Sequence, residues 1–267
     1  MDKATVSGIA LSFGGITAGL LLEGGKLSQI LQPTAALIVA GGTIGAVLLQ
    51  FPLSTVFSAV RNLKIVFFEP RSRASDEINR LTRLALKARH DGIISLDNEL
   101  PQIPDPFMRR ALMLAVDGTE SSELRSIMQF EIDASAEAED ELPRVYEAIG
   151  GFAPTIGIIG AVLGLIQVMQ HLDKIDEVGR GIAVAFVATI YGVGLANLIA
   201  LPIAGKLRHR QRGRQILREL TIEGVISILE GINPRMLEVK LNGFLHKASD
   251  KAGSGKLEPR TKARGAS

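Results

Sequence analysis

Residues able to touch an ion without holding it stand at intervals in otherwise uncharged stretches: Thr17, Thr34 and Thr43, then Thr155 and Gln167, then Thr189, Tyr191 and Asn197. Oxygens and amides spaced along a wall can take over part of an ion's hydration. None of them titrates near neutral pH, so they can line a proton path but cannot store and release the proton. The residues that do so are absent: 4–22, 27–60, 148–170 and 181–205 contain no Asp, Glu, Lys or Arg. If ion transport is the function, the titrating carboxylate has to come from a partner chain. For each threonine the alternative is a hydrogen bond to its own helix backbone, which carries no functional meaning. Other chemistries are excluded more simply. The chain has no cysteine, and its four histidines (90, 171, 209 and 246) are too scattered for a metal centre. No phosphate-cradling glycine loop and no nucleophile elbow occurs. The expectation is a protein that is not an enzyme and carries no cofactor.

The uncharged stretches are 19, 34, 23 and 25 residues long, so all 58 charged residues of the 267 crowd into the remaining 166. A soluble helix shows a polar face every turn or two, whereas a bilayer core of roughly 30 Å asks for about 20 apolar residues. The reading is an all-α, polytopic membrane protein with transmembrane helices at about 4–22, 33–51, 148–170 and 181–205. Lys3, offset by Asp2, makes a weak n-region, and no A-x-A exit follows the first run, which reads as a retained span. Gly15/Gly19, Gly41/Gly45 and Gly160/Gly164 are small-xxx-small pairs that let helix backbones approach, within one chain or between copies. Pro154 and Pro202 each remove a helical hydrogen bond, so each is expected to kink its helix or end it locally.

Lys and Arg number 12 in residues 61–147 and 14 in 206–267, against one or two in the segment before the first span and in each short connection. The positive-inside rule places the middle block, the tail and both termini in the cytoplasm. Lys206, Arg208, Arg210, Arg212 and Arg214 read chiefly as an anchor on anionic lipid head groups. The expected organisation is 1–60 for the first two spans, 61–147 for a helical cytoplasmic domain, 148–205 for the third and fourth spans, 206–246 for C-terminal helices, and 247–267 for a disordered tail. Within the middle block, Ile78, Leu81, Leu84 and Ala85 recur at helical spacing. Leu100–Pro106 reads as a loop, Asp105-Pro106 as the start of a helix to Val116, and about 121–142 as another helix with six carboxylates between Glu131 and Glu141.

Residues 148–170 (AIGGFAPTIGIIGAVLGLIQVMQ), 181–197 (GIAVAFVATIYGVGLAN) and 223–245 (EGVISILEGINPRMLEVKLNGFL) resemble the A subunit of the bacterial flagellar motor stator (MotA/PomA type), in the MotA/TolQ/ExbB proton channel family. The resemblance reaches to about His246. It implies a pentamer around a MotB-type partner whose single span supplies the ion-binding aspartate. It gives Pro154 and Pro202 the role of coupling ion passage to movement, and Thr189 a place on the ion path; Thr155 and Tyr191 stand as further wall candidates by residue type alone. Sodium-driven relatives carry threonine where this chain has Ala161. A methyl group offers no oxygen to a dehydrating sodium ion, so protons are the expected coupling ion. The segment Ala88–Glu99 resembles the family's contact with a FliG-type rotor switch protein, with Arg89 basic, Asp97 acidic, Glu99 a second acid, and His90 a charge that depends on pH. Two other readings compete: a TolQ/ExbB-like energiser of another envelope process, and a non-conducting membrane scaffold.

Overall fold

The computed structural model describes residues 3–63, 66 and 74–253. Among these the secondary structure is helical throughout, with no strand. The order is α1 (Lys3–Leu22), a short 3-10 turn (Leu27–Gln29), α2 (Pro33–Gln50), α3 (Leu53–Arg61), α4 (Ala74–Asp91), a 3-10 helix (Ile93–Gln102) and α5 (Pro106–Val116). Then follow α6 (Ser121–Gln170), α7 (Ile175–Gly194), a π-turn (Leu195–Ala200), α8 (Leu201–Leu229) and α9 (Pro234–Gly253). The chain divides into two units, Met1–Pro70 with Ser135–Arg212, and Arg71–Ala134 with Gly213–Ser267.

Among the described residues four helices are long and apolar enough to cross a membrane, and their uncharged stretches lie in the first unit. Its α6–α7 contact is built from small residues at alternating spacings of four and three. Ala153, Gly157, Gly160 and Gly164 lie against Gly181, Ala185, Ala188 and Gly192. That spacing keeps one stripe on one face of each helix, and with almost no side chain in the stripe the backbones come into direct contact. A Cβ built on Gly192 would stand 2.4 Å from the Ala153 carbonyl oxygen, and one on Gly164 would stand 2.8 Å from that of Gly181. The Gly160/Gly164 pair is therefore used inside the chain. Gly15, Gly19, Gly41 and Gly45 meet nothing within 4 Å. α2 joins the bundle through Ala35 and Val39 against Val187 and Ala188, while α1 buries no residue of its span. Leu22 and Leu49, 88% and 91% exposed, belong against lipid or another chain.

The prolines end neither helix. Pro143 and Pro154 lie inside an α6 that runs unbroken for 50 residues. The cytoplasmic helix and the third span, expected as separate elements, are one. Pro202 sits in the first turn of α8, just after the π-turn, where Leu201 N–H reaches back five residues to the Ala196 carbonyl. A proline ring clashes with the carbonyl four residues earlier, and the wider π-turn moves that carbonyl aside, so the helix deforms locally and continues.

The second unit closes around one core: Ile78, Leu81, Leu84 and Ala85 of α4, Met108 and Leu112 of α5, Leu124 and Met128 of α6, Leu220 and Val225 of α8, and Leu237 and Leu241 of α9. Asp105 caps α5, its Oδ1 accepting from Phe107 N–H at 2.8 Å. Leu100–Gln102, expected in a loop, end the 3-10 helix, whose φ suits Pro101. The GINP stretch is helix punctuation. Gly231, at φ +71°, ends α8, and Asn233 Oδ1 accepts from Arg235 N–H at the start of α9. α9 continues to Gly253 where a disordered tail was expected from Lys247, and residues 254–267 lie outside the described residues.

Candidate functional site

Three of the oxygen and amide groups proposed for an ion wall are bonded to their own helices. Thr189 Oγ1 donates to the Ala185 carbonyl at 3.2 Å, Thr155 Oγ1 to that of Phe152 at 2.8 Å, and Asn197 Nδ2 to that of Val193 at 3.0 Å. Tyr191 does something else. Its hydroxyl donates to the Ile30 carbonyl at 2.6 Å and accepts from Gln32 N–H at 3.3 Å, tying α7 to the connection that enters α2. Thr43 is buried, and its hydroxyl has no partner among the described residues.

A cleft of about 730 Å³ opens between α1, α2, α7 and the π-turn. Thr17, Thr189, Tyr191 and Asn197 are among its lining residues, with Phe13, Ile16, Val39 and Leu198 supplying apolar wall. Thr189 and Tyr191 are thus brought together. Pro154, Thr155, Ala161 and Pro202 are not among the lining residues. No charged side chain lines it either. Its wall is apolar apart from these hydroxyls and one amide, and it offers no group that titrates near neutral pH.

The segment Ala88–Glu99 is a rigid tip. α4 ends at Asp91, Gly92 reverses the chain at φ +83°, a conformation open to glycine alone at low cost, and the 3-10 helix returns. Leu96 is fully buried and anchors it. Arg89 and Asp97 are exposed, and neither meets an opposite charge among the described residues. Glu99 forms a partly exposed ion pair with Lys87. His90 Nδ1 lies 2.5 Å from Asp91 Oδ1, and that hydrogen bond and charge raise its pKa above the ordinary histidine value.

The basic run after the fourth span points partly inward. Arg208 pairs with Glu147 at 2.7 Å and approaches Asp140 at 3.8 Å. Arg210 is 8% exposed and donates to the Val66 carbonyl at 3.1 Å. A run read chiefly as a lipid anchor is in part an internal clamp. Tyr146, whose hydroxyl donates to the Ala59 carbonyl at 2.9 Å, was equally hidden from the sequence. An alternation of Arg with neutral residues gives no sign of which arginine is buried.

In the second unit Glu223 accepts from Lys240 at 2.5 Å and Arg125 at 2.7 Å. Burial pushes its carboxyl up, but the hydrogen bonds and charges of Lys240 and Arg125 outweigh that and hold it below the ordinary value. Lys240 also donates to Ser227 Oγ at 3.0 Å, so one lysine of the EVKL stretch ties α9 to α8. Burial, with Asp105 nearby, raises Glu77.

Residues 99–219 match the model of the MotA/TolQ/ExbB proton channel family, and residues 6–92 match that of the Motility protein A N-terminal region. Motility protein A of Bacillus subtilis is 35% identical over 246 residues, 92% of this chain and 91% of that protein. Chemotaxis protein PomA of Vibrio alginolyticus is 31% identical over 92% of this chain and 96% of its own. Among solved structures, the C. jejuni MotAB structure superposes with a TM-score of 0.87 at 30% identity, covering 91% of this chain and 96% of that one. The flagellar MotAB stator complex of Bacillus subtilis superposes at 0.86 and 33% identity, covering 95% and 100%. With a bundle that holds no acid of its own and relatives matched along nearly its whole length, this chain belongs to the MotA/TolQ/ExbB proton channel family.

Proposed function

We infer that this chain is the channel subunit of a bacterial flagellar stator, working in the inner membrane with a MotB-type single-span partner. The observation that carries the reading is the combination of four membrane-length apolar stretches without Asp, Glu, Lys or Arg with similarity to motility proteins over about nine-tenths of the chain. The match of residues 6–92 to the Motility protein A N-terminal model favours the motor over a TolQ/ExbB-like energiser. The partner contributes the aspartate that the spans lack. Its protonation discharges the carboxylate, and the ring of channel subunits, a pentamer, shifts around it. Both termini are cytoplasmic, and lipid covers the outer faces of the spans. Ala161 in place of an oxygen ligand favours protons over sodium.

The movement reaches a FliG-type rotor protein through the tip. Arg89 and Asp97 are its exposed, unpaired charges, and complementary charge of this kind sets orientation and encounter more than affinity. His90 adds positive charge as the cytoplasm acidifies. Pro154 and Pro202 flex the third and fourth spans. Co-reconstitution of the chain with its partner in liposomes tests the mechanism. Proton flux is expected from the pair and is lost when the partner aspartate becomes alanine. Equal flux through this chain alone refutes the borrowed-acid mechanism.

A further inference from the structure

A 3-10 helix turns once every three residues, so side chains three apart line up along it. In Ile93–Gln102 this makes two contrasting ridges. Ile93, Leu96 and Glu99 form the inner one: Ile93 packs on the core, Leu96 is fully buried, and Glu99 is held by Lys87 of α4. Ile94 and Asp97 form the exposed part of the outer one, whose third member, Leu100, turns back onto the core. Ile94 is 74% exposed, and Asp97 is exposed with no opposite charge beside it among the described residues. The inner ridge holds the segment in place, and the helix leading into it ends in exposed Arg89, His90 and Asp91, the last two paired with each other so that Arg89 is the cation left over.

We propose that Ile94 and Asp97 form a two-point docking ridge for a helix of the rotor protein. Ile94 seats in an apolar notch, Asp97 meets a basic side chain, and Arg89 meets an acidic one on the same helix. The proposal rests on the rotor-contact reading above and adds an apolar anchor to it. Exposed charges steer and align a partner but contribute little net affinity. A contact that has to engage and release repeatedly gains its hold from burying a single side chain, and Ile94 is the exposed apolar residue on the outer ridge. The order cation, isoleucine, carboxylate asks for a partner presenting acid, apolar group and base. A membrane surface does not fit, because Asp97 would face anionic head groups.

The test measures binding of the partner-bound complex in lipid nanodiscs to the purified rotor switch protein of the same cell, at low and high salt. Ile94→Ser is expected to weaken binding about tenfold with an unchanged salt dependence. Asp97→Asn is expected to weaken it at low salt and flatten the salt dependence, and Ile94→Leu to keep it. Proton conduction equal to that of the unmodified complex confirms that each variant is folded. Ile94→Ser binding as tightly as the unmodified chain overturns the proposal while leaving the charge contact standing. An unmodified complex with no affinity for the rotor protein overturns the rotor-contact reading itself, and the ridge with it.

Discussion

Gly192→Ala is the sharpest test of how the third and fourth spans are held together. The added methyl carbon would lie 2.4 Å from the Ala153 carbonyl oxygen, 3.1 Å from Gly157 Cα and 3.2 Å from Ala153 C. Carbon–oxygen contacts settle at about 3.3–3.6 Å, so the shortfall is about 1 Å. All the atoms met are backbone, and no rotamer change relieves it. α6 and α7 must separate, and a radial gap of 0.5–1 Å forfeits about a quarter to a half of the dispersion well for every pair along the stripe. Overpacking of this kind costs about 1–3 kcal/mol. The matched control is Gly179→Ala in the same helix, where nothing lies within 4 Å. The assay is thermal unfolding of the detergent-solubilised complex, followed by loss of the assembled peak on size exclusion. Gly192→Ala is expected to lower the midpoint by several degrees, and Gly179→Ala to leave it unchanged. Equal midpoints for the two variants would show that the backbones do not touch there.

Tyr191→Phe removes a donor from Ile30 and an acceptor from Gln32. It is expected to cost about 1–3 kcal/mol and to speed proteolysis of the 23–33 connection without abolishing assembly. Glu99→Gln breaks only the partly exposed pair with Lys87, so stability and motor speed should stay near those of the unmodified chain, whereas Asp97→Asn should slow the motor with no change in stability. Because Lys240 and Arg125 hold the carboxyl of Glu223 below its ordinary value, its contribution to stability is full above the unfolded value and is lost as pH falls through the lower folded one. Denaturant titrations of Glu223→Gln should show a deficit at pH 7 that disappears in acid. A deficit independent of pH would mean that Lys240 and Arg125 do not stabilise the charged form.

Much of the architecture is legible because it depends on composition along a line. The uncharged runs mark the spans, and the period of Ile78, Leu81, Leu84 and Ala85 marks a core face that the structure buries. Asp105-Pro106 opens α5 as local capping chemistry dictates. The errors fall where local rules meet a larger context. Pro143 and Pro154 weaken α6 by one hydrogen bond each, and a helix that packs on both sides of them absorbs the loss. Pro101 fits a 3-10 helix as readily as a loop.

At the candidate site the division is cleaner. Sequence by itself determined that the spans contain no Asp, Glu, Lys or Arg; absence of a residue type needs no coordinates. Only tertiary structure decided which polar atoms are already spent: Tyr191 on the α1–α2 connection, Glu99 on Lys87, Arg210 on a buried carbonyl. It likewise decided which glycines press backbone on backbone and which face outward. Both depend on how each helix is rotated about its axis and on what lies across from it. A charge or a methyl group has the same letter in either orientation, and the energy of burying it is set by the neighbour.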